Sequence, residues 1–311
     1  MHILIIDAFP DSFVEAAHAL PARLTYLPAA DRAAVLAHLS DTDILVINSK
    51  IQVDREVIDR APRLRAVLRA GVGMDHFDLG YMAARGVAAF NAQGGNADAV
   101  GEHALGMLLA LRHNLLRADR EVRQFQWRRE ANRGREIGGK TVGIIGYGHT
   151  GRSVARKLSG FGCRVLAYDK YLHDYSDAFA QAAGMEAIFD QAEILTLHVP
   201  LTDETRYLVD AAFLARFRQP VWLLNLARGP MVYLPALLAA LDSGQVVAAG
   251  LDVLENEKLD SLSPAQRAWY EDLFARPNVI LSPHVGGWTF ESLDNINAMI
   301  LDELRRLTSG S

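Results

Sequence analysis

Two groups of residues in this sequence have types and spacings that can do chemistry. The string GYGHTG holds Gly146, Gly148 and Gly151 directly after the apolar run TVGIIG and at the head of a helical pattern. The first glycine permits a tight turn, the second admits a pyrophosphate to the backbone, and the third lets helix pack on strand. The helix N–H groups at His149 and Thr150 then face the phosphates. The next apolar run ends in VLAYDK and places Asp169 eighteen residues past Gly151. There a carboxylate accepts hydrogen bonds from the ribose hydroxyls of NAD and repels the extra phosphate of NADP, a preference that the adjacent Lys170 softens. A chance glycine cluster beside a solvated strand end is the bland alternative, and the order strand, glycines, helix, acid weighs against it.

The second group lies downstream, where the apolar runs of VWLLNLARG, AAGLDV (followed by LENEK) and NVILSPHVGG each finish in polar residues. In open α/β sheets ligands bind outside the carboxyl ends of the strands, so Arg228, Asp252, Glu257 and His284 can converge there despite their separation in sequence. The set offers a cation for a carboxylate, a histidine for proton transfer and an acid to partner it, which is what reversible oxidation of a hydroxy acid requires. Taken singly, each has a structural explanation: a surface ion pair for Arg228, one acid among several for Glu257, a capping histidine for His284. Their joint placement favours chemistry.

Parallel strands must position both groups, and short apolar runs alternating with helical patterns supply them, an α/β arrangement. A first series of strands is expected at 2–9, 24–27, 43–48, 64–69 and 87–91. One long helix is expected over 96–125, with Ala104, Leu105, Leu108, Leu109 and Leu111 on its apolar face. A second series at 141–146, 164–169, 193–199, 221–226, 247–253 and 278–282 is mostly continuously apolar, as strands covered on both faces require, and completes a doubly wound sheet. The stretch 291–307 is a lone amphipathic helix with Leu293, Ile296, Ile300, Leu304 and Leu307 on one face, so it must pack on one of the two sheets. The terminal Thr-Ser-Gly-Ser reads as a frayed tail.

Read in order, GYGHTG, LHVPLTDET, NLARGPMV, AAGLDVLENE and NVILSPHVGGWT resemble the D-isomer-specific 2-hydroxyacid dehydrogenases. RAGVGMDHFDL with NADAVGEHALGMLLAL is similar to the phosphoglycerate dehydrogenase-like branch of that family, and the resemblance runs from the first strand to the last helix. It implies that Arg228 binds the substrate carboxylate and helps polarise the reacting carbonyl, and that Glu257 hydrogen-bonds His284, the general acid or base. The physical reading agrees, since a carboxylate contact stabilises imidazolium and keeps it a proton donor near neutral pH. The resemblance also implies that His149 and Thr150 contact the pyrophosphate and Asp169 the adenosine ribose. Val199 packs near the adenine, Leu226 and Ala227 line the nicotinamide end, and Asp252 holds the carboxamide. In the other domain Gly71, Val72 and Gly73 offer N–H groups to the substrate carboxylate, a nest of the kind that binds anions.

Two departures bear on the substrate. Phosphoglycerate dehydrogenases usually carry an arginine in VRS ahead of a TKV-like segment, whereas this chain reads VINSKIQV, with Asn48 at that place. Arg69 remains, and Lys50 either reaches the phosphate instead or stands as a solvated loop lysine. Lys258 follows Glu257 where proline is common, which loosens that loop.

The expected architecture is a discontinuous flavodoxin-like substrate domain, residues 1–93 and 287–311, and a Rossmann NAD-binding domain, 94–286, with nicotinamide and substrate in the cleft between them. The expected activity is NAD-dependent interconversion of a D-2-hydroxyacid, 3-phosphoglycerate among the candidates, and its 2-ketoacid. A homodimer is expected too, because the helix 96–125 and the arm through Trp127 resemble the family's dimer contact. An NAD(H)-sensing, corepressor-like protein without turnover is the other class of reading, and phosphite or formate oxidation a third.

Composition narrows the field. With 311 residues, half of them apolar and 22% charged, the chain is neither disordered nor fibrous. Its net charge of −5 and the lack of a Lys/Arg run argue against nucleic acid and membrane surface as partners. The lone cysteine, Cys163, excludes an intramolecular disulfide and CxxC metal motifs and fits a reducing, cytoplasmic compartment. No metal is expected. His103 reads as a packed, supporting histidine, and His198 has no expected catalytic role.

Overall fold

The computed structural model describes residues 1–309; the last two residues of the expected tail, Gly310 and Ser311, lie outside them. In chain order the elements are β1 (His2–Ile5), α1 (Asp11–His18), β2 (Arg23–Tyr26), α2 (Arg32–Ala37), β3 (Ile44–Ile47), α3 (Arg55–Asp59), β4 (Ala66–Arg69), α4 (Leu79–Ala84) and β5 (Ala88–Asn91). After them come α5 (Ala97–Arg112), α6 (Leu115–Arg123), β6 (Thr141–Ile145), α7 (His149–Leu158), β7 (Arg164–Tyr168), β8 (Gln181–Ala182), α8 (Met185–Gln191), β9 (Ile194–Leu197) and α9 (Ala211–Ala215). The chain closes with β10 (Val221–Asn225), α10 (Leu234–Ser243), β11 (Val246–Leu251), α11 (Pro264–Ala275), β12 (Val279–Leu281) and α12 (Phe290–Thr308). One compact unit is Met1–Asn96 with the returning segment from Phe290; the other is Ala97–Thr289.

In the first unit five parallel strands run in the order β2-β1-β3-β4-β5, the flavodoxin-like order. Strand periodicity divides its apolar residues between two faces. Leu4, Leu45, Ile47 and Val67 build one core with Val35 and Val57. Ile3, Ile5, Ile44, Val46 and Leu68 face the other way, onto Phe13 of α1 and Ile296, Ile300 and Leu304 of α12. The last helix has therefore found its sheet. β1 stops at Ile5 rather than running to Phe9, and just beyond it the Asp7 carboxylate accepts the Asn48 N–H at 2.6 Å.

The second unit holds a seven-stranded parallel sheet in the order β12-β11-β10-β9-β6-β7-β8. Counted from its own first strand, this is the doubly wound dinucleotide-binding order with an added outer strand, and the order reverses between β6 and β9. Both faces are covered. Ala104 and Leu108 of α5 pack with Val154, Ala155 and Leu158 of α7 on one side, and Leu237 and Leu241 of α10 with Phe213 of α9 on the other. The two-residue edge strand β8 was not expected, being too short to show a period. The expected helix over 96–125 is broken: Asn114 takes a left-handed backbone (φ 54°) between α5 and α6 and donates from Nδ2 to the Arg133 carbonyl at 3.3 Å. Asparagine is one of the few residues that tolerates this conformation. Among the described residues, no helix is long and apolar enough to cross a membrane, and no group of three or more His, Cys, Asp or Glu could hold a metal.

Candidate active site

The glycine-rich turn joins β6 to α7 at the point where strand order reverses. Gly146 has φ +95°, and a Cβ there would meet the His198 carbonyl group at 2.6 Å and Val199 Cγ1 at 2.8 Å, which puts Val199 against the turn. A Cβ at Gly151 would lie 2.1 Å from the Gly146 carbonyl oxygen, so helix and turn touch. Gly148 faces open space, with no atom within 4 Å of a Cβ built there, and caps a helix whose N-cap has no side-chain hydrogen bond. His149 and Thr150 open that helix with their N–H groups along its axis. Asp169, just past β7, accepts the Tyr147 N–H on Oδ2 at 2.8 Å and the Tyr171 and Leu172 N–H groups on Oδ1 at 2.9 and 3.3 Å. Three donors fix the carboxylate and leave Oδ2 able to accept one more. These residues fit a dinucleotide: the cradle is open where phosphate would enter and closed where a side chain would block the turn. Lys170 is turned to Glu204, with Nζ–Oε2 at 2.5 Å.

At the ends of β10, β11 and β12 the structure brings together the residues expected for catalysis. His284 Nδ1 lies 3.0 Å from the Glu257 carboxylate, both side chains being almost half exposed. The Glu257 hydrogen bond and charge hold the imidazolium above its usual pKa against the opposing effect of burial; the Arg228 charge is close enough to lower it and that of Asp252 to raise it. The protonated form is thus present below the raised pKa and lost as pH rises through it. With Glu257 on Nδ1, the exchangeable proton is presented from Nε2. Arg228 donates from Nη1 to its neighbouring Ala227 carbonyl at 2.7 Å. Leu226 and Ala227 are buried, and Leu226 Cδ2 lies 3.3 Å from a Cβ built on Gly286.

Asp252 is 2% exposed and works as the anchor of the His284 loop. Its Oδ1 accepts from Ser282 Oγ (2.5 Å) and the Val285 N–H (2.9 Å), its Oδ2 from the Gly286 N–H (2.8 Å), and its carbonyl from the His284 N–H (2.7 Å). A buried carboxylate must be satisfied, and this one is satisfied by wrapping residues 282–286 around itself. His284 is held in the left-handed region (φ 56°), an uncommon conformation that only a well-determined loop maintains.

The residues expected to meet the substrate in the first unit lie at the ends of β3 and β4. Arg69 donates from Nε to the Asn48 carbonyl at 3.1 Å, and its guanidinium lies 3.0 Å from a Cβ built on Gly71. The Gly71 N–H is taken by the Arg69 carbonyl at 2.8 Å, which leaves Val72 and Gly73 as the nest's other donors. Lys50 donates to the Pro28 carbonyl.

Sequence reasoning missed one supporting group and named another, His103, without its partner. Asn225, 1% exposed at the end of β10, donates from Nδ2 to the Arg228 carbonyl (2.9 Å) and accepts the Ala227 N–H (3.1 Å), so it shapes the turn that carries Arg228. A polar residue inside the apolar run VWLLNL was the available signal. His103 of α5 reaches Ser282 Oγ at 2.9 Å from Nε2; that hydroxyl gives its one proton to Asp252, so His103 must be the donor. Cys163 is half-buried, its Sγ donating to the Ile137 carbonyl at 3.2 Å, and burial pushes its thiol up. His198 bonds Thr196 Oγ1 at 2.9 Å, and burial lowers its pKa to about 4, so it is neutral at physiological pH.

Comparison with known proteins identifies the class. The family model "D-isomer specific 2-hydroxyacid dehydrogenase, NAD binding domain" matches residues 105–286. The chain is 37% identical over 313 residues to D-3-phosphoglycerate dehydrogenase of Mycobacterium leprae, covering 99% of this chain but 57% of that protein, so it spans little more than half the relative's length. It is 31% identical over 266 residues to hydroxypyruvate reductase of Thermotoga maritima, covering 86% of this chain and 85% of the reductase. D-lactate dehydrogenase from Aquifex aeolicus, solved with NAD and lactic acid, superposes with a TM-score of 0.84 at 25% identity over 100% of this chain and 96% of the other. The chain belongs to the D-isomer-specific 2-hydroxyacid dehydrogenase family, and its cofactor is NAD.

Proposed function

We propose that this protein is an NAD-dependent oxidoreductase that interconverts a D-2-hydroxyacid and its 2-ketoacid, with Arg228, Glu257 and His284 as its catalytic residues. The observation that carries the reading is the Glu257–His284 pair at 3.0 Å, with the Arg228 charge acting on the same imidazole at the carboxyl ends of adjoining strands. NAD(H), when bound, takes or gives the hydride. The rest is done by the chain. Arg228 pairs with the substrate carboxylate and draws electron density from the adjoining carbonyl. His284 gives its Nε2 proton to the carbonyl oxygen during reduction and takes it back during oxidation, while Glu257 fixes the tautomer and stabilises the imidazolium. Gly146, Gly148, His149, Thr150 and Gly151 hold the pyrophosphate; Asp169 holds the ribose; Val199, Leu226, Ala227 and Asp252 border the rings. In the first unit we assign Arg69, Val72, Gly73 and Lys50 to the substrate's anion, with Gly71, whose N–H is already given to the Arg69 carbonyl, shaping the turn that presents them. Asn48 brings no charge and Asp7 stands beside it, which favours glyoxylate or hydroxypyruvate over a phosphorylated ketoacid.

NADH consumption against glyoxylate, hydroxypyruvate, 2-ketoglutarate, pyruvate and phosphohydroxypyruvate tests the activity. Arg228→Ala abolishes turnover of the best of these and leaves NADH affinity, read by fluorescence, nearly unchanged; undiminished turnover removes Arg228 from the site. Corepressor-like binding without turnover is the outcome that overturns the enzyme reading.

We also propose a homodimer through α6 and the arm that follows it. Phe125 is 100% and Trp127 79% exposed, with Leu115, Leu116 and Val122 of α6 exposed beside them, an apolar surface of the kind that marks a protein contact. Light scattering at micromolar concentration reads twice the chain mass, and a monomer overturns this assignment. The single cysteine supports a cytoplasmic setting, and the net charge of −5 supports the absence of nucleic-acid partners.

A further inference from the structure

Lys258 in the place of a common proline leads one to expect a loose loop after Glu257, and the loop is instead fastened at several points. Tyr270 of α11, 2% exposed, accepts the Asn256 N–H on its hydroxyl at 2.7 Å and donates that hydroxyl's proton to the Asn256 carbonyl at 3.1 Å. One phenol thus occupies both backbone groups of the residue immediately before Glu257. The Asn256 side chain works outward from the same point. Its Oδ1 accepts the Lys258 N–H at 3.0 Å, a bond that a proline nitrogen has no hydrogen to make, and its Nδ2 donates to Ser261 Oγ at 3.2 Å. Ser261 closes the turn by donating from its N–H and its hydroxyl to the Lys258 carbonyl at 2.9 and 2.8 Å.

The far end of the clamp is rigid. The helix that carries Tyr270 starts on a capping box in which Ser263 and Gln266 satisfy each other's backbone, and Leu273, one turn on, is wholly buried in the sheet's core. Upstream, Tyr207 donates its hydroxyl to Glu255 Oε1 at 2.5 Å. Glu257 itself is exposed and turned to His284. Its position against the imidazole is therefore set by its neighbours' backbone rather than by packing of its own side chain.

We propose that Tyr270 and Asn256 are positioning residues that hold Glu257 against His284, Asn256 doing through the Lys258 N–H what a proline would do by ring constraint. Neither residue touches substrate; each acts through Glu257. The proposal rests on the reading of Glu257 and His284 as a working pair, but it is readable without turnover. The charged groups that face His284 are Glu257, Arg228 and Asp252, with His103 on the far side of Asp252 through Ser282; Glu255 lies near Tyr270 and Lys258 flanks the turn.

The test is the midpoint of the His284 titration, followed by NMR on the full chain with histidine labelled and His284 assigned by its loss in His284→Asn. Tyr270→Phe keeps the ring and removes the hydroxyl, and Asn256→Ala removes the turn's side chain. Each lowers the His284 midpoint toward that of Glu257→Gln, and each adds nothing in a Glu257→Gln background, because the clamp has then no carboxylate to hold. In turnover each lowers kcat by about tenfold, less than the 10²-fold that a full 1 Å displacement of a reacting group can cause, with NADH affinity unchanged. If Tyr270→Phe does not fold, Asn256→Ala, at the loop surface, carries the test. An unshifted midpoint in a folded variant, or an equal shift with and without Glu257, overturns the proposal. A chain that turns over no ketoacid yet shows the Glu257-dependent shift overturns the enzyme reading and leaves the clamp standing.

Discussion

Replacement of His284 by asparagine lowers turnover of a 2-ketoacid by about 10²- to 10⁴-fold, the range that a lost general acid accounts for. Asparagine is the informative substitution because residue 284 must keep a backbone in the left-handed region, φ 56°, which asparagine tolerates and alanine does not. The Asp252 cage around residues 284–286 uses backbone N–H groups, so it survives the change. Glu257 loses its partner but is nearly half exposed, and water replaces the imidazole at little cost to folding. NADH affinity and melting temperature therefore stay close to those of the native chain while kcat falls. The pH profile changes as well. With His284 as the proposed acid and base, reduction by the native protein is expected to fade as pH rises through the elevated pKa of the imidazolium, and oxidation, which would use the neutral ring, to grow over the same interval. The variant loses both limbs. Turnover within tenfold of the native value would mean that another group supplies the proton.

What the sequence disclosed about this site, and what it hid, divides along a physical line. Strand-terminal residues were legible because in an open parallel sheet one rule places every strand's carboxyl end on the same edge, so Arg228, Glu257 and His284 could be brought together without knowledge of packing. The glycines at 146, 148 and 151 were legible because each answers a local steric demand. The last helix was legible as far as its apolar stripe, which says that it must pack but not on which sheet. The break at Asn114 was hidden: the apolar pattern runs through it, and the side-chain bond to the Arg133 carbonyl that accompanies the left-handed turn reaches a residue nineteen positions on. Asn256 and Tyr270 were hidden for a different reason. Their contact joins a loop to a helix nearly two turns past its start, and nothing in periodicity or spacing says that a tyrosine on α11 will end with its hydroxyl on a backbone fourteen residues upstream. The expectation of a loose loop after Glu257 followed soundly from the missing proline and failed because the hydrogen that proline lacks was put to use.

Gly229→Ala tests a contact that no side chain makes. A Cβ on Gly229 would lie 1.8 Å from the Leu254 carbonyl oxygen, 2.0 Å from its carbon and 2.6 Å from the Glu255 nitrogen. All three are backbone atoms, so no rotamer relieves the clash and the segment after β10 must move away from the segment after β11 by more than 1 Å before ordinary contact is restored. Arg228 rides on the first of these segments and Glu257, two residues beyond Glu255, on the second, so the methyl group separates the guanidinium from the acid–imidazole pair without altering any of the three. The expected result is a loss of roughly 1–3 kcal/mol of stability, seen as a lower melting temperature, and a fall in kcat on the order of 10²-fold in the fraction that remains folded. Gly106→Ala supplies the control. That glycine lies exposed within α5 and a Cβ there meets nothing within 4 Å, so its melting temperature holds or rises. A Gly229→Ala variant as active and as stable as the control would show that the two strand ends are not in fixed register, and that the spacing of Arg228 from Glu257 is set by something other than the backbone contact described here.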